Sequence, residues 1–345
     1  MFWIKWVTRN YYWRGEEGEE RAKKLQHSFQ ETPTLKAPRL TDQITLPIQR
    51  ALITGASGFI GLHLCRALLG SGYEVHALSR SEPKVSDTRL HWHKVDLTDS
   101  EATRRAFARI RADLVWHLCS YAQGERELAL VLPTFRGEIE TAVNVLASVT
   151  ESGCRRLIMA GSLEESDPGD VPLSPYAAAK AASRTYARMF HQLYGLPVVM
   201  TRIFMTYGPG QSAKKLIPHS IDCMLQGHPL KIASPSRKVD WLYVEDVVQG
   251  LLAVAAAPDL EGKSVDLGSG EMVEICDVVC RIQRLINPSA LVEFDSSPGR
   301  ALEQVRCADS ATTYALTGWR PTISLDAGLT RTVDFYAGST LSRSQ

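Results

Sequence analysis

Hydrophobic and polar positions alternate regularly along the chain between Arg50 and about Arg202. Short apolar runs such as ALITG (51–55) and DLVWHL (113–118) are separated by longer stretches whose apolar residues recur at helical spacing, beginning with FIGLHLCRALLGSG (59–72). Strands that alternate with helices are typical of a parallel sheet covered by helices on both faces. The pattern therefore predicts an α/β fold with a doubly wound parallel sheet.

The alternation also sets the predicted domain organisation. After Arg202 it weakens, with a turn at 207–211 and a mixed pattern beyond it. We expect residues 49–205 to form the sheet core and residues 206–338 to form mainly a smaller C-terminal α/β cap, with some of its strands and helices returning to the core. Further strands are predicted at 73–78, 155–162, 196–202 and within 262–270, and helices near 99–109, 134–152, 176–194, 217–227, within 238–257 and at 276–286.

The first 48 residues have a different composition. The chain begins MFWIKWV, continues into the charged stretch GEEGEERAKK and remains polar and proline-containing to about Gln49. This segment lacks the apolar length and small-residue cleavage site of a signal peptide. We interpret residues 1–48 as an extension outside the fold, a disordered tail being the first interpretation. An aromatic patch that docks on a partner or membrane surface, or a misassigned start, are the alternatives.

Composition narrows the class of protein. Of 345 residues, 44% are hydrophobic and 22% charged, and 39 basic against 38 acidic residues leave a net charge of +1, so we expect a soluble globular protein and no nucleic-acid partner. The seven cysteines are scattered and form no Cys-x-x-Cys pair, which disfavours disulfides and a metal centre and favours a reducing compartment such as the cytoplasm. No apolar run reaches the roughly 18–20 residues that span a bilayer.

A glycine-rich turn follows the first predicted strand. Glycines spaced three apart, within GASGFIG (55–61), open the first helix. Such glycines permit a tight turn and let the backbone approach a pyrophosphate, which then lies at the positive end of the helix. We therefore predict a dinucleotide cofactor contacted by Gly55, Ser57, Gly58, Phe59, Ile60 and Gly61.

The end of the second predicted strand bears on which dinucleotide is bound. An acidic residue there would bond the ribose hydroxyls of NAD, whereas an arginine suits the 2′-phosphate of NADP. The chain has Ser79 and Arg80 at this position, which favours NADP slightly over NAD and leaves both open. Asp96 and Leu97 follow the third strand, where a carboxylate could reach the adenine amine.

A second motif carries candidate chemistry. Tyr176 and Lys180 are four residues apart, so their side chains share one face of a helix that follows the strand ending in Ser162. A tyrosine hydroxyl is a poor base at neutral pH, but a neighbouring ammonium favours the phenolate. The pair can then exchange the proton that accompanies hydride transfer at a carbinol carbon.

These motifs together resemble a known family. From about Arg50 to Tyr336 the chain is similar to the extended short-chain dehydrogenases/reductases with a Rossmann core, in their NAD(P)-dependent nucleotide-sugar epimerase/dehydratase branch. The segments that carry the resemblance are GASGFIG (55–61), HLCS (117–120), YAAAK (176–180), RIFMTYGPGQ (202–211), VDWLYVEDVV (239–248), VDLGSG (265–270) and GWRPTISLDAGL (318–329).

The resemblance implies roles for matched positions. Ser162 would bond the reacting sugar oxygen, Tyr176 would be the acid/base, and Lys180 would hold the ribose and tune Tyr176. It also implies a nucleotide-sugar substrate and a homodimer formed through the helices at 134–152 and 176–194. His117, Leu118 and Cys119 would line the nicotinamide, and Met205, Tyr207, Gln211, Asp240 and Arg300 would face the nucleotide end of the substrate.

Departures from the family pattern bear on the reaction. Met205 and Val239 stand where many relatives carry Asn and Arg, so either the contact with the nucleotide is altered or the substrate is unusual. Dehydratases commonly carry Asp-Glu after the catalytic Thr, and here the pair is Leu163-Glu164. Leucine cannot protonate a leaving hydroxyl, while Glu164 either acts on the sugar or bonds locally.

The first hypothesis is therefore an epimerase that works through a transient keto-sugar. An NADPH-dependent 4-keto-sugar-nucleotide reductase or a 4,6-dehydratase is the alternative within this class. A non-catalytic NAD(P)-binding sensor or scaffold is the alternative from another class.

Overall fold

The computed structural model describes residues 49–80, 87–167, 169–295 and 305–341. The predictions for residues 1–48 and for Arg300 lie outside these ranges. The strands are β1 (Arg50–Thr54), β2 (Glu74–Ser79), β3 (Leu90–Lys94), β4 (Leu114–His117), β5 (Arg156–Ser162), β6 (Val198–Ile203), β7 (Met205–Tyr207), β8 (Leu230–Ile232), β9 (Lys238–Tyr243), β10 (Ser264–Leu267), β11 (Met272–Glu274) and β12 (Val292–Phe294).

The helices cover most of the remaining described chain. They are α1 (Phe59–Gly70), α2 (Ser100–Ile110), a 3₁₀ turn (Leu128–Leu130), α3 (Val131–Thr134), a π-helical segment (Phe135–Glu140), α4 (Thr141–Ser152), α5 (Pro175–Tyr194), α6 (Leu216–Gln226), α7 (Val244–Ala256), α8 (Ile275–Ile286), α9 (Ser310–Thr317) and α10 (Leu325–Leu341).

Seven strands form one parallel sheet in the order β10-β6-β5-β4-β1-β2-β3. Apolar residues of α1 and α7 pack on one face, where Leu64 and Val247 share a buried cluster with Ile53 of β1. Helices α2, α4 and α5 cover the other face, where Phe107 and Val145 share a second cluster with Val115 of β4. The prediction of a doubly wound parallel sheet is confirmed.

The strand order predicts at which edge of the sheet a ligand binds. The chain runs from β1 to β3 in one direction across the sheet and then returns to β4 on the other side of β1. Ligands of such sheets bind outside the carboxyl ends of the strands at this reversal. The carboxyl ends of β1, β4 and β5 carry Thr54, His117 and Ser162.

Elements after residue 206 divide between the large sheet and a smaller assembly. β10 pairs in parallel with β6 at the edge of the large sheet. β11, β9 and β7 form a three-stranded sheet, β12 and β8 form a two-stranded one, and helices α6, α8 and α10 bury a third apolar cluster against them. Three-residue strands carry no detectable period, so sequence patterning did not predict β7, β8, β11 or β12.

The helix predicted at 134–152 is interrupted in the structure. Its first part is the π-helical segment Phe135–Glu140, and regular α-helix resumes only at Thr141. A π segment widens the turn and changes which side chains face inward. Among the described residues, no helix combines the length and the apolar character needed to cross a membrane.

Arg156 connects the large sheet to the end of α7. Its side chain is buried, and its guanidinium donates to the carbonyl oxygens of Val254, at 2.9 Å, and of Ala257. Glu261 completes the pairing through a short ion pair. A helix ends with carbonyls that have no intrahelical partner, so this cation satisfies groups that burial would otherwise leave unpaired.

Replacement of this arginine should weaken the fold. We expect Arg156→Met to lower the free energy of unfolding by about 3 kcal/mol, because breaking a buried ion pair leaves its partners without compensation. Urea denaturation followed by circular dichroism measures the loss. The exposed neighbour Arg155 provides the control, since Arg155→Met should change stability by less than about 0.5 kcal/mol. Equal effects of the two variants would contradict this role for Arg156.

Candidate active site

The glycine-rich turn has the geometry that a dinucleotide requires. Gly55 has a φ of 67°, and a Cβ on it would lie 2.7 Å from the backbone nitrogen of Cys119. A Cβ on Gly61 would lie 2.8 Å from the Cα of Ala56. α1 begins at Phe59 with Gly58 as its N-cap, and neither a side-chain cap nor an acidic first turn neutralises its amino end. The turn therefore fits a pyrophosphate held by backbone N–H groups.

Most of the predicted cofactor residues lie at one edge of the sheet. Ser57 and Gly58 are exposed on the turn, and Phe59 and Ile60 are half-buried in the first turn of α1. At the end of β2, Ser79 is buried and Arg80 is exposed.

The segment after β3 comes from the strand next to β2. The Asp96 carboxylate accepts hydrogen bonds from the backbone N–H and the hydroxyl of Thr98, which lower the pKa of Asp96. The Leu97 side chain is buried, and its carbonyl accepts from Asn144 at 2.8 Å. Asp96 is exposed in the segment that follows the carboxyl end of β3.

His117, Leu118 and Cys119 follow from the end of β4, directly beside the glycine turn. His117 Nδ1 lies 2.7 Å from Thr54 Oγ1, and burial lowers the pKa of His117 to about 3, with the charge of Lys180 adding to the effect. The imidazole is therefore neutral at physiological pH. Leu118 is half-buried, and burial raises the pKa of the Cys119 thiol, which keeps it protonated.

Tyr176 lies in the first turn of α5. Ser174 caps this helix by accepting from the Ala177 N–H at 3.0 Å, and Pro175 occupies its first position. The phenol is buried, and the neighbouring hydroxyls of Ser162 and Ser120 act to lower its pKa. Burial raises the pKa of Tyr176, Lys180 opposes that rise, and Glu138 adds to it.

Lys180 lies one turn further along α5 and is also buried. Its Nζ is 5.7 Å from the centroid of the Tyr176 ring and donates to the Ala160 carbonyl at 3.0 Å. It forms an ion pair with Glu138 Oε2 at 2.8 Å. Burial alone would lower the pKa of Lys180, but Glu138 and Tyr176 outweigh it, so the net shift is upward and the lysine stays charged.

Ser162 and the two following glutamates form a compact turn. Ser162 Oγ accepts from the Glu164 N–H at 3.2 Å, and the Ser162 N–H donates to Glu165 Oε1 at 2.9 Å. Glu165 is buried, which raises its pKa, and it pairs with Arg184 at 3.6 Å. Glu164 is half-buried with its carboxylate towards Gly124. Glu165 thus holds the backbone of Ser162 in place through a hydrogen bond, and Glu164 remains the predicted candidate for contact with the sugar.

Two of the residues predicted to face the substrate nucleotide have other roles in the structure. Tyr207 is 1% exposed, and its hydroxyl donates to the Leu325 carbonyl at 3.2 Å. Asp240, equally buried, accepts from the backbone N–H groups of Ser269, Gly270 and Ala308 at 2.6, 3.0 and 3.0 Å. A carboxylate with these partners organises two loops and is not available to a ligand.

The other two described residues that were predicted to face the nucleotide are less deeply buried. Met205 and Gln211 are half-buried, and the Gln211 amide donates to the Thr206 carbonyl at 2.7 Å.

Sequence reasoning missed Glu138 and Ser120. Ser120 Oγ donates to Glu138 Oε1 at 2.5 Å, and the Tyr121 N–H donates to the same oxygen. One signal could have found Glu138: it occupies the face of the helix that otherwise carries Thr141, Ala142 and Val145, all of them buried. A charge on the buried face of an amphipathic helix is rare unless it is paired.

The chain is similar to known proteins over most of its length. The chain is 26% identical to UDP-glucuronate 4-epimerase from Thermodesulfobacterium geofontis, over 82% of this chain and 95% of that protein. It is 28% identical to dTDP-glucose 4,6-dehydratase from Haemophilus influenzae, over 83% of this chain and 97% of that protein.

Two solved epimerase structures are similar in fold to this chain. The Thermus thermophilus UDP-glucose 4-epimerase complex with NAD aligns with a TM-score of 0.74 and 27% identity, covering 84% of this chain and all of the other. The Thermotoga maritima UDP-glucose 4-epimerase with UDP-glucose aligns with a TM-score of 0.77 at 22% identity, covering 85% of this chain and all of the other, which supports the fold.

The model of one protein family, described as the NAD dependent epimerase/dehydratase family, matches residues 51–268. This range is more than half of the chain and contains the glycine turn, Ser162, Tyr176 and Lys180. The chain therefore belongs to the NAD-dependent epimerase/dehydratase family and is an enzyme of that type.

Proposed function

We propose that this enzyme is an NAD(P)-dependent nucleotide-sugar epimerase that acts through a transient keto-sugar. The observation that carries the proposal is the buried Tyr176 phenol, which has Ser162 at the carboxyl end of β5 and the Lys180 ammonium as neighbours. The likeness to a UDP-glucuronate 4-epimerase over most of both chains supports it.

The residues of this chain have separate tasks in that reaction. The cofactor, when bound, supplies the ring that takes up and returns a hydride. Ser162 holds the reacting sugar oxygen, and Tyr176 removes the proton from it and later gives the proton back. Lys180 favours the anionic form of Tyr176 by its positive charge. The keto-sugar must stay in the enzyme between removal and return of the hydride, and a nucleotide that remains bound keeps it there. Met205, Gln211 and Arg300 are our candidates for the contact with the nucleotide.

A dehydratase needs one further acid/base group that can reach the sugar. Leu163 has no exchangeable proton, and the Glu165 carboxylate is committed to the Ser162 N–H and paired with Arg184. Only Glu164 of this segment could take that role. The 4,6-dehydratase alternative therefore depends on Glu164. The likeness to dTDP-glucose 4,6-dehydratase is the reason to include this reaction in the experiment described below.

The proposal also includes the choice between NAD and NADP and the cellular compartment. Arg80 is exposed at the end of β2, where a cation favours the 2′-phosphate of NADP, whereas the Thermus thermophilus relative is a complex with NAD. A reducing compartment such as the cytoplasm suits the seven cysteines, which are all free thiols.

We also propose a homodimer. Apolar side chains lie exposed on α5, where Leu193 is 67% exposed and Tyr186 nearly half exposed. Others lie on the segment that precedes α4, where Leu132 is 68% exposed and Phe135 nearly half exposed. Exposed apolar residues that share neighbouring helices mark interaction surfaces. A second copy of the chain would present the same surface in return, as two-fold symmetry requires.

The proposed activity is tested with a panel of UDP-, GDP-, CDP- and dTDP-sugars incubated with the protein and NAD⁺, NADP⁺ or NADPH. We expect an isomeric sugar nucleotide with no net change of cofactor, detected by chromatography and by absorbance at the NAD(P)H band. Stoichiometric loss of NADPH with a 4-keto-sugar nucleotide would instead identify the reductase. Loss of water without loss of cofactor would identify the dehydratase.

Removal of the phenolic hydroxyl should abolish turnover without loss of the cofactor site. We expect Tyr176→Phe to lower kcat by a factor of about 10²–10⁴, the usual contribution of a positioned acid/base, and to leave cofactor affinity within about twofold. Isomer formation and fluorescence titration with the cofactor measure the two properties. A variant that retains full turnover would rule out the tyrosine chemistry, and a biological effect that survives it would favour the sensor or scaffold.

A charge on the exposed apolar surface should separate the subunits. Light scattering of the wild-type protein should give twice the mass of 38.2 kDa, and Leu132→Asp should shift the population towards the single-chain mass. The exposed Val171→Asp serves as the control, because Val171 lies between β5 and α5 and outside the proposed interface. A wild-type protein of single-chain mass at micromolar concentration would contradict the dimer.

A further inference from the structure

The chain that follows β5, which we call the β5 turn (residues 163–167), belongs to no helix or strand. Its backbone is held by a side chain that is distant in sequence. Arg306, in the segment before α9, donates to the carbonyl oxygens of Leu163, at 3.0 Å, and of Glu165, at 2.5 Å. These are the residues immediately before and after Glu164, the candidate for contact with the sugar. Arg306 therefore holds the turn on both sides of Glu164.

The Arg306 guanidinium also pairs with the end of the β5 turn. Its Nη2 lies 2.7 Å from Asp167 Oδ2, and the arginine side chain is only 13% exposed. A guanidinium carries five N–H donors in a planar fork, which suits several acceptors at once. The carboxylate of Asp167 offsets the cost of removing that cation from water. Together the three contacts fix the side chain in one orientation relative to the turn.

Two other arginines contact the same turn from the large sheet and its covering helix. Arg184 of α5 donates to the Ser166 carbonyl at 2.7 Å. Arg202 of β6 pairs with Asp167 at 3.1 Å. Guanidinium groups thus take the place of a neighbouring strand in satisfying the carbonyls of the turn. Arg306 differs from these two arginines because it connects the turn to the chain that precedes α9.

The segment that carries Arg306 is itself anchored. The Ala308 N–H donates to Asp240 Oδ2 at 3.0 Å, and the Asp309 N–H donates to Asp266 Oδ2 at 3.2 Å. The first carboxylate belongs to β9 of the small sheet and the second to β10 of the large one. Arg306 therefore reaches the β5 turn from a fixed base, because backbone hydrogen bonds to two different sheets hold the residues that follow it.

The carboxylate of Glu164 lies where a displacement of the turn would matter. A Cβ on Gly124 would lie 3.5 Å from Glu164 Oε1, so the carboxylate lies against the segment that follows β4. The segments after β4 and β5 both begin at the carboxyl ends of their strands, where ligands of such sheets bind. A change in the shape of the β5 turn would therefore change the distance between this carboxylate and a bound sugar.

We propose that Arg306 is a positioning residue that holds the β5 turn in the shape in which Ser162 and Glu164 meet the sugar. The inference rests on the proposed function, in which Ser162 holds the reacting sugar oxygen. The Glu164 N–H donates to Ser162 Oγ at 3.2 Å, so a movement of one residue displaces the other. A misplacement of about 1 Å at a reacting group can lower a rate by about 10²-fold. Arg306 acts on the reaction only through the turn.

The first test needs no substrate. Hydrogen–deuterium exchange of the protein with NAD⁺ or NADP⁺, followed by mass spectrometry, measures the protection of the amides at 162–167. Arg306→Met should reduce that protection, because the turn loses the contacts that hold it closed, while the glycine turn at 55–61 should keep its protection. Arg320→Met removes an exposed arginine from the same part of the chain and is the matched control, which should change neither peptide. Unchanged exchange at 162–167 in Arg306→Met would overturn the inference.

The second test measures turnover. With NAD⁺ or NADP⁺ and UDP-glucose, UDP-glucuronic acid or dTDP-glucose, we expect Arg306→Met to lower kcat by about 10²-fold with KM nearly unchanged. Arg306→Lys should recover part of the rate, because lysine restores the charge but not the fork of donors. Guanidinium chloride at non-denaturing concentration should likewise raise the rate of Arg306→Ala, since the ion can occupy the space that the side chain leaves. Arg320→Met should keep the wild-type rate.

The contrary results are distinct from one another. A less stable Arg306→Met with the wild-type kcat below its unfolding temperature would show that the arginine only stabilises the fold. A raised KM at constant kcat would make it a contact for substrate binding, and either result contradicts the positioning role. If the wild type turns over no sugar nucleotide, the proposed function fails and the exchange experiment alone decides whether Arg306 holds the turn. If Arg306→Met does not fold, Asp167→Asn replaces it, and unchanged exchange and kcat in that variant contradict the inference.

Discussion

The buried ammonium of Lys180 constrains the whole site. A cation removed from water needs compensating partners, and here they come from three parts of the chain: the Ala160 carbonyl of β5, the Glu138 carboxylate of the π-helical segment and the ring of Tyr176 in α5. Each partner must be within a few ångströms, so the lysine fixes the spacing between the strand and the two helices.

The second constraint is the reversal of strand order at β1 and β4. It brings together the glycine turn after β1 and the segment after β4, which are about 60 residues apart in sequence. Their contact is close enough that a side chain on Gly55 would meet the backbone of Cys119. The turn that fits a pyrophosphate and the helix that carries Tyr176 and Lys180 therefore both follow the carboxyl ends of neighbouring strands because of topology, although neither motif contains that information alone.

Sequence patterning predicted the features that depend on local rules. The parallel sheet follows from alternating periodicity, the turn at 55–61 follows from backbone sterics, and the Tyr176–Lys180 pair follows from helical spacing. Asp240 and Tyr207 were predicted to face a ligand because a single sequence does not show burial, and both are enclosed by loops that fold back from residues 268–270, 307–308 and 325. Glu138 was missed for the converse reason: a glutamate in a helix is usually solvated, and only the tertiary contact with Lys180 reveals its environment.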